Sequence, residues 1–343
     1  MAMKSYKGFD KKLKCRDFQY EIGKEYEMDG EIKVCSRGFH ACESPFDVFD
    51  HYTMIDSRFC EVEQDGNISK EDRGTKICSS KIKIKAELKL ADMINLGVEW
   101  LKEITSPEKI KTNIKDNSSG NGAQIGSSGY DAKIGSSGND AQIGSSGYDA
   151  KIGSSGYDAK IGSSGNDAQI GSSGNGAKIG SSGNGAKIGS SGYGAKIGSS
   201  GYGAQIGSSG NDAQIGSSGN DAQIGSSGNG AKIGSSGNDA QIGSSGYGAK
   251  IGSSGNYAQI GSSGNYAKID STGEGCVIMC AGINSVAKAS KGSWITLSEW
   301  SYSDKKKRYI PVCVKTEFVD GEKIKADTYY SLKGGVFVES VNN

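Results

Sequence analysis

The chain has little proline, little histidine, almost no net charge and no long apolar run. Three prolines and two histidines occur in 343 residues. Proline at that level excludes a proline-rich rod, and strict G-X-Y spacing, the mark of collagen, is absent. Histidine chemistry has only His40 and His51 to draw on. The formal net charge of +1 removes the general electrostatic footprint for DNA, RNA or an anionic membrane, and equally excludes a strongly acidic nucleic-acid mimic. No apolar run approaches the roughly 18 residues that span a bilayer. The opening MAMKSYKGFDKKLKC is charged and lacks an apolar core of signal-peptide length. A cytoplasmic protein with no membrane partner is therefore expected, and its eight cysteines are expected reduced and buried. There is no phosphate loop, no G-x-S-x-G, no H-E-x-x-H and no paired-carboxylate motif. The expectation is no enzyme and no cofactor.

What the chain has in abundance is glycine, 54 residues, concentrated in its middle. Alanine recurs every nine residues from Ala123 to Ala267, 17 times, and isoleucine follows each two residues later, from Ile125 to Ile269. The unit is A-(Q/K)-I-G-S-S-G-(N/Y)-(D/G/Y). Self-similarity at a fixed short period marks a stacked solenoid, and a disordered Gly/Ser linker would not hold isoleucine in phase. Alanine, Gln/Lys and isoleucine alternate as a strand with one buried face. Ala123, Ile125, Ala132, Ile134, Ala141 and Ile143 are thus the first core residues, and Gly-Ser-Ser-Gly-Asn-Asp supplies turns. Nine residues are too few to close a coil. Two repeats make one, rising ~4.8 Å, so the array predicts a rod of roughly 40 Å. Burying each isoleucine contributes on the order of 1.5–3 kcal/mol.

The variable slots are expected outside. The outward slot holds nine Lys and eight Gln, and eight Asp occupy the turn slot, so the charges nearly cancel. Exposed tyrosines at 130, 148, 157, 193, 202, 247, 257 and 266 give either a recognition surface or drift at unconstrained positions after duplication. A calcium roll would need Asp two residues before the apolar position, but here Asp lies three before and is often replaced. An ice-binding face would lack the threonine methyls. Nucleic acid is a further candidate partner, through stacked Lys160, Lys178 and Lys196 on phosphates and tyrosines on bases.

The flanks are compositionally ordinary. Residues 1–87 predict a small α+β domain with strands at Phe18–Ile22, Glu31–Cys35, Arg58–Val62 and Lys81–Leu88, and a helix near Ser44–Tyr52 capped by Ser44 ahead of Pro45. Within 88–120, Leu90–Ile104 reads as an amphipathic helix, expected to cap the first coil or to oligomerise the chain as a dimer or trimer. The solenoid is expected over 121–278, with Cys276 and Ile278 in degenerate core slots. Residues 279–343 predict a small antiparallel β cap domain with a turn at Asp320-Gly321. The fold class is therefore mainly β, a central solenoid of two repeats per coil between two small domains. The densest reactive cluster is CSRGFHAC: Cys35, His40, Cys42 and Cys60 are candidate zinc ligands or a Cys–His pair, although their spacing matches no standard zinc pair. Packed thiols around a buried histidine are the simpler account.

The segments YKGFDKKLKCRDFQYEIGKEYE, KVCSRGFHACESPFDVFDHY, RFCEVE and KIKIKAEL, with GSWITLSEW and GGVFVE near the end, resemble a family of unknown function common in phages and prophages of Gram-positive bacteria. There the same head precedes nine-residue repeats of another sequence. The resemblance implies viral or prophage origin and carries no activity onto these residues. The expected function is a non-enzymatic interaction protein that presents its repeats to a host protein or complex, as in blocking a defence factor. The alternatives are a virion fibre or decoration module, and an enzyme or nucleotide-sequestering activity in the N-terminal domain.

Overall fold

The computed structural model describes residues 2–34, 36–54, 56–71, 75–104, 117–118 and 120–340. It divides into two compact units, Met1–Thr112 and Asn113–Asn343. It is mostly β, with a solenoid of about ten turns and an antiparallel β region at its C-terminal end.

The first unit contains β1 (Met3–Phe9), β2 (Lys14–Cys15), β3 (Phe18–Gln19), β4 (Glu25–Glu27), β5 (Phe39–Cys42), a 3-10 turn (Pro45–Asp50), β6 (Arg58–Lys70), β7 (Lys76–Leu88) and α1 (Leu90–Ile104). β1 pairs with β5 and β6, and β7 also pairs with both. The four strands therefore close into a ring. The alternation of KIKIKAEL sends Ile82 and Ile84 into the ring core with Phe9, Cys60 and Val62. Lys81 and Lys85 point outward to Glu27 and Glu63, each at 2.9 Å.

Two expectations for this unit are corrected. The helix near Ser44–Tyr52 is a 3-10 turn, and Ser44 makes no side-chain cap bond. Pro45, Phe46, Asp47, Val48 and Phe49 are all buried, which a single apolar stripe of an α-helix could not achieve. The strand expected at Glu31–Cys35 does not form over its described residues, and after them Ser36 and Arg37 N–H both donate to the Lys33 carbonyl. Gly30 and Gly38, both at positive φ, flank this segment. Within the first unit the apolar stripe of the amphipathic helix packs inward: Met93, Val98 and Leu101 lie against Phe46, Phe49 and Phe59, because the bulky 3-10 turn supplies a matching apolar surface.

In the second unit each strand pairs in parallel with the one 18 residues away, as in Ile134↔Ile152 and Ile143↔Ile161. One coil is thus two repeats. Alternate strands build two sheets. Sheet I runs from Asn117–Ser118 through Lys133–Ser136 to Arg308–Phe318, and sheet II from Gln124–Ser127 to Val336–Glu339. The strand proper is Gln/Lys-Ile-Gly-Ser. The first serine, expected in the turn, lies inside, because the alternation continues as Lys out, Ile in, Gly out, Ser in. Ile143 and Ala141 are fully buried, as are Ile125 and Ile134 nearly so. Ala123 and Ala132 are half-buried, since they belong to the first coil and have a neighbour on one side only.

Two details explain the fixed glycines and the variable last slot. A methyl on Gly201 would enter the Gly183 backbone, lying 2.6 Å from its carbonyl carbon, so the turn glycine lets successive coils touch. The final slot has positive φ, near +55° at Asp149, Asp158, Asp212 and Asp221. Asp and Gly alternate there because both tolerate the left-handed region. Asn in the preceding slot bridges coils: Asn184 Oδ1 accepts from Tyr202 N–H at 2.9 Å.

The C-terminal segment continues both sheets rather than forming a separate domain from 279. Trp294–Leu297 stacks in parallel on Val277–Cys280, and Val286–Lys288 on Lys268–Asp270. Ile295 and Leu297 fill solenoid core slots, and Val319, Ile324, Tyr330 and Leu332 close the end of the core. The last rungs are antiparallel.

Candidate functional site

The solenoid surface is set by its columns. On sheet I the outward Lys133, Lys151, Gln169, Lys187 and Gln205 are exposed. Beside them a shallow groove follows Gly153, Gly171, Gly189, Gly207, Gly225 and Gly243, where an added methyl would meet nothing within 4 Å at Gly207 or its neighbours in the column. At the C-terminal end the same rows become apolar, Gln259 being followed by Val277, Trp294 and Phe318.

All eight predicted tyrosines are exposed, from 46% at Tyr148 to 76% at Tyr130. The 18-residue period places Tyr157, Tyr193, Tyr247 and Tyr266 along one turn edge and Tyr130, Tyr148, Tyr202 and Tyr257 along the other. Two pairs meet: Tyr130 stacks on Tyr148 at 5.3 Å and Tyr247 contacts Tyr266 at 4.9 Å. The hydroxyls of Tyr193 and Tyr202 are held by Asp212 and Asp221, which raises both phenols.

The lysine ladder requires a correction. Lys160, Lys178 and Lys196 do stack in register on sheet II. Lys178, however, is only 7% exposed, Lys160 and Lys196 are half-buried, and all three have interaction partners. The outward Gly162, Gly180 and Gly198 of that face are buried as well. Lys160, Lys178 and Lys196 are not an open cationic strip for phosphates; the exposed repeat lysines are Lys133, Lys151 and Lys187 on sheet I and Lys250 further along sheet II.

In the first unit the predicted zinc set does not assemble. Cys42 packs in the cluster with Phe46 and Phe49, while Cys60 sits in the ring core with Val62 and Ile84. Consecutive strand residues face opposite ways, and these two fall on opposite sides. Cys35 lies outside the described residues. Among the described residues no group of three metal-ligating side chains converges. Burial pushes the Cys60 thiol up to about 12, the state of a packed thiol rather than a nucleophile. Of the other cysteines, Cys78, Cys276 and Cys280 are buried, whereas Cys15 and Cys313 are half-buried.

A different group converges instead. Lys7, on the inward face of β1, is 4% exposed. Its ammonium donates to the His40 carbonyl at 2.8 Å and reaches Cys15 Sγ at 3.5 Å. The Tyr52 hydroxyl donates to the same sulfur at 3.0 Å. Burial lowers the Lys7 ammonium from its ordinary value. His40 is held down to about 4, by burial first and then by the positive charges of Lys7, Lys76 and Arg16. Sequence reasoning passed over Lys7, Cys15 and Tyr52. The one local signal is a lysine between Tyr6 and Phe9 in a strand.

A family model described as a domain of unknown function, DUF7666, matches residues 3–96. The first unit therefore carries a DUF7666 domain. No curated protein and no solved structure matches the chain. The DUF7666 match takes in every strand of the ring and runs into α1, in keeping with the helix packing on that unit's own core.

Proposed function

We propose that this is a phage- or prophage-encoded, non-enzymatic interaction protein, acting in the host cytoplasm, whose solenoid binds a host protein. The observation that carries the reading is the exposure of all eight tyrosines on the turn edges. Tyrosine supplies large, rigid, amphipathic contact area at low entropic cost and is enriched at protein interfaces. The open face of sheet I adds amide, ammonium and hydroxyl groups in fixed register. A net charge of +1 and the burial of Lys178 favour a protein over a nucleic acid as the partner. Interference with a host defence factor is the role such a surface would serve.

The test is affinity capture from host lysate with the full chain and with a variant carrying Tyr193→Asn, Tyr202→Asn and Tyr247→Asn. A host protein retained by the first and lost by the second supports the reading. Recovery of no specific protein, or equal recovery by both, overturns it. Abundant presence in purified phage particles, read by mass spectrometry, would replace it with a virion fibre or decoration module.

A further inference from the structure

The DUF7666 domain carries a half-open cavity of about 1210 Å³, in the size range of small-molecule sites. Phe18, Tyr20, Tyr26 and Tyr52 line it. Phe18, Tyr20 and Tyr26 meet edge to face at 4.8–5.3 Å, yet Phe18 remains 46% exposed. An exposed aromatic held by two others makes a wall that a flat ring can cover.

The charge arrangement is the second observation. Lys7 lies at the cavity, buried, with a carbonyl oxygen and a thiol as its polar partners. Among the described residues no carboxylate forms an ion pair with it, and an ammonium has three donors. A buried cation ordinarily has a counter-ion. Lys76 and Arg16 also line the cavity, and both act on His40 with the same sign as Lys7. The lining carboxylates, Asp17, Glu25, Glu27 and Asp50, are all on the exposed side, and Glu27 is paired with Lys81. The buried Lys7 thus makes the inner end of the cavity cationic, with half-buried Lys76 and exposed Arg16 acting in the same sense, and the wall is aromatic.

We infer that this cavity binds a small organic anion with an aromatic body, of the nucleoside phosphate class. The phosphate accepts from the Lys7 ammonium, with Arg16 and Lys76 beside it, and the base lies against Phe18, Tyr20 and Tyr26. This site is independent of the solenoid surface proposed above.

The test is calorimetry on the full chain with AMP, ADP, GMP and GDP, and with adenosine, guanosine and inorganic phosphate as comparisons. At least one nucleotide should bind, with its nucleoside about tenfold weaker or worse, the weight of a charge-assisted hydrogen bond. Lys7→Met should weaken that nucleotide by about tenfold or more. Arg16→Gln, an exposed change that leaves the ring core untouched, should weaken it severalfold. Kd values above about 1 mM for every nucleotide, phosphate binding as tightly as the nucleotide, or both variants binding as wild type would each overturn the inference.

Discussion

The same substitution six residues apart should have opposite consequences in this solenoid. Gly201 sits in a turn, where a methyl would overlap the Gly183 carbonyl group of the previous coil, 2.6 Å from its carbon and 3.1 Å from the Asn184 nitrogen. These are backbone atoms and cannot rotate away. Gly207 sits on the outer face of sheet I with nothing within 4 Å of the added methyl and no positive φ. Relief of the Gly201→Ala overlap requires the coils to part locally. The bonds flanking the contact are Ser200 N–H to the Ser181 carbonyl at 3.0 Å and Tyr202 N–H to Asn184 Oδ1 at 2.9 Å. Losing both at about 1 kcal/mol each, together with residual strain, gives a destabilisation on the order of 3 kcal/mol. Gly207→Ala should be neutral, or stabilising by up to about 1 kcal/mol, because it restricts the unfolded chain. Repeat arrays open locally, so native-state hydrogen exchange should be read alongside denaturant melts. Faster exchange confined to the coils around Gly201 is expected, with no change at Gly207. Wild-type exchange in Gly201→Ala, or equal damage from both variants, would refute the account of coil stacking.

Two further outcomes follow from buried polar groups. Ser181 is fully buried with no hydrogen-bond partner for its hydroxyl among the described residues; Ser181→Ala should stabilise the array by about 1 kcal/mol, and a destabilisation measured by urea melts would show that the hydroxyl is satisfied. His40 is held down to about 4, below its ordinary value. Between about pH 6.5 and 4 the unfolded chain therefore binds more protons than the folded one, and stability falls as pH falls through that window. After discounting for half exposure the effect is on the order of 1 kcal/mol. The DUF7666 domain of His40→Gln should lose less stability than wild type between pH 7 and 4.5, and identical losses would contradict the assignment.

The solenoid was legible because one isoleucine and one alanine per nine residues fix both the strand and its inward face. The 18-residue coil followed from the minimum length needed to turn the chain twice. Other features depend on contacts between distant segments. Lys133 and Lys178 stand in the same local sequence, AKIGSSG, yet the first is exposed and the second buried. Repeat sequence carries no information about which sheet face is covered. The inward serine was misread because serine after glycine is ordinary turn chemistry, and only the continued alternation places it inside. Lys7 was illegible for a similar reason. Alternation treats a strand lysine as outward, but β1 belongs to a closed ring whose inward face has no solvent side. Leu90–Ile104 was recognised as a helix from its own stripe, whereas its partner surface, Phe46 and Phe49, was hidden in a segment read as a conventional helix.

The tyrosine positions are not unconstrained, which changes how their variation should be read. Six of the eight replace asparagine in the slot whose side chain bridges coils, as Asn175 does to Tyr193 N–H at 2.8 Å and Asn229 to Tyr247 N–H at 2.9 Å. A tyrosine there cannot make that backbone bond and forfeits about 0.5–1 kcal/mol, offset at Tyr193 and Tyr202 by their hydroxyl bonds to Asp212 and Asp221. The other two, Tyr257 and Tyr266, sit at φ of 58° and 56°, where aspartate or glycine would be at ease and a bulky residue is strained. Neutral drift would favour the asparagine and glycine alternatives that the neighbouring copies already carry. Eight retained tyrosines, most of them at some cost in stability, fit selection on the surface rather than on the fold. Tyr193→Asn, Tyr202→Asn and Tyr247→Asn together should therefore raise the denaturation midpoint of the array, by an amount equivalent to about 0.5–1 kcal/mol, most of it from Tyr247→Asn, while abolishing partner capture. A variant that is both less stable and deficient in capture would make the tyrosines structural and remove this argument for an interface.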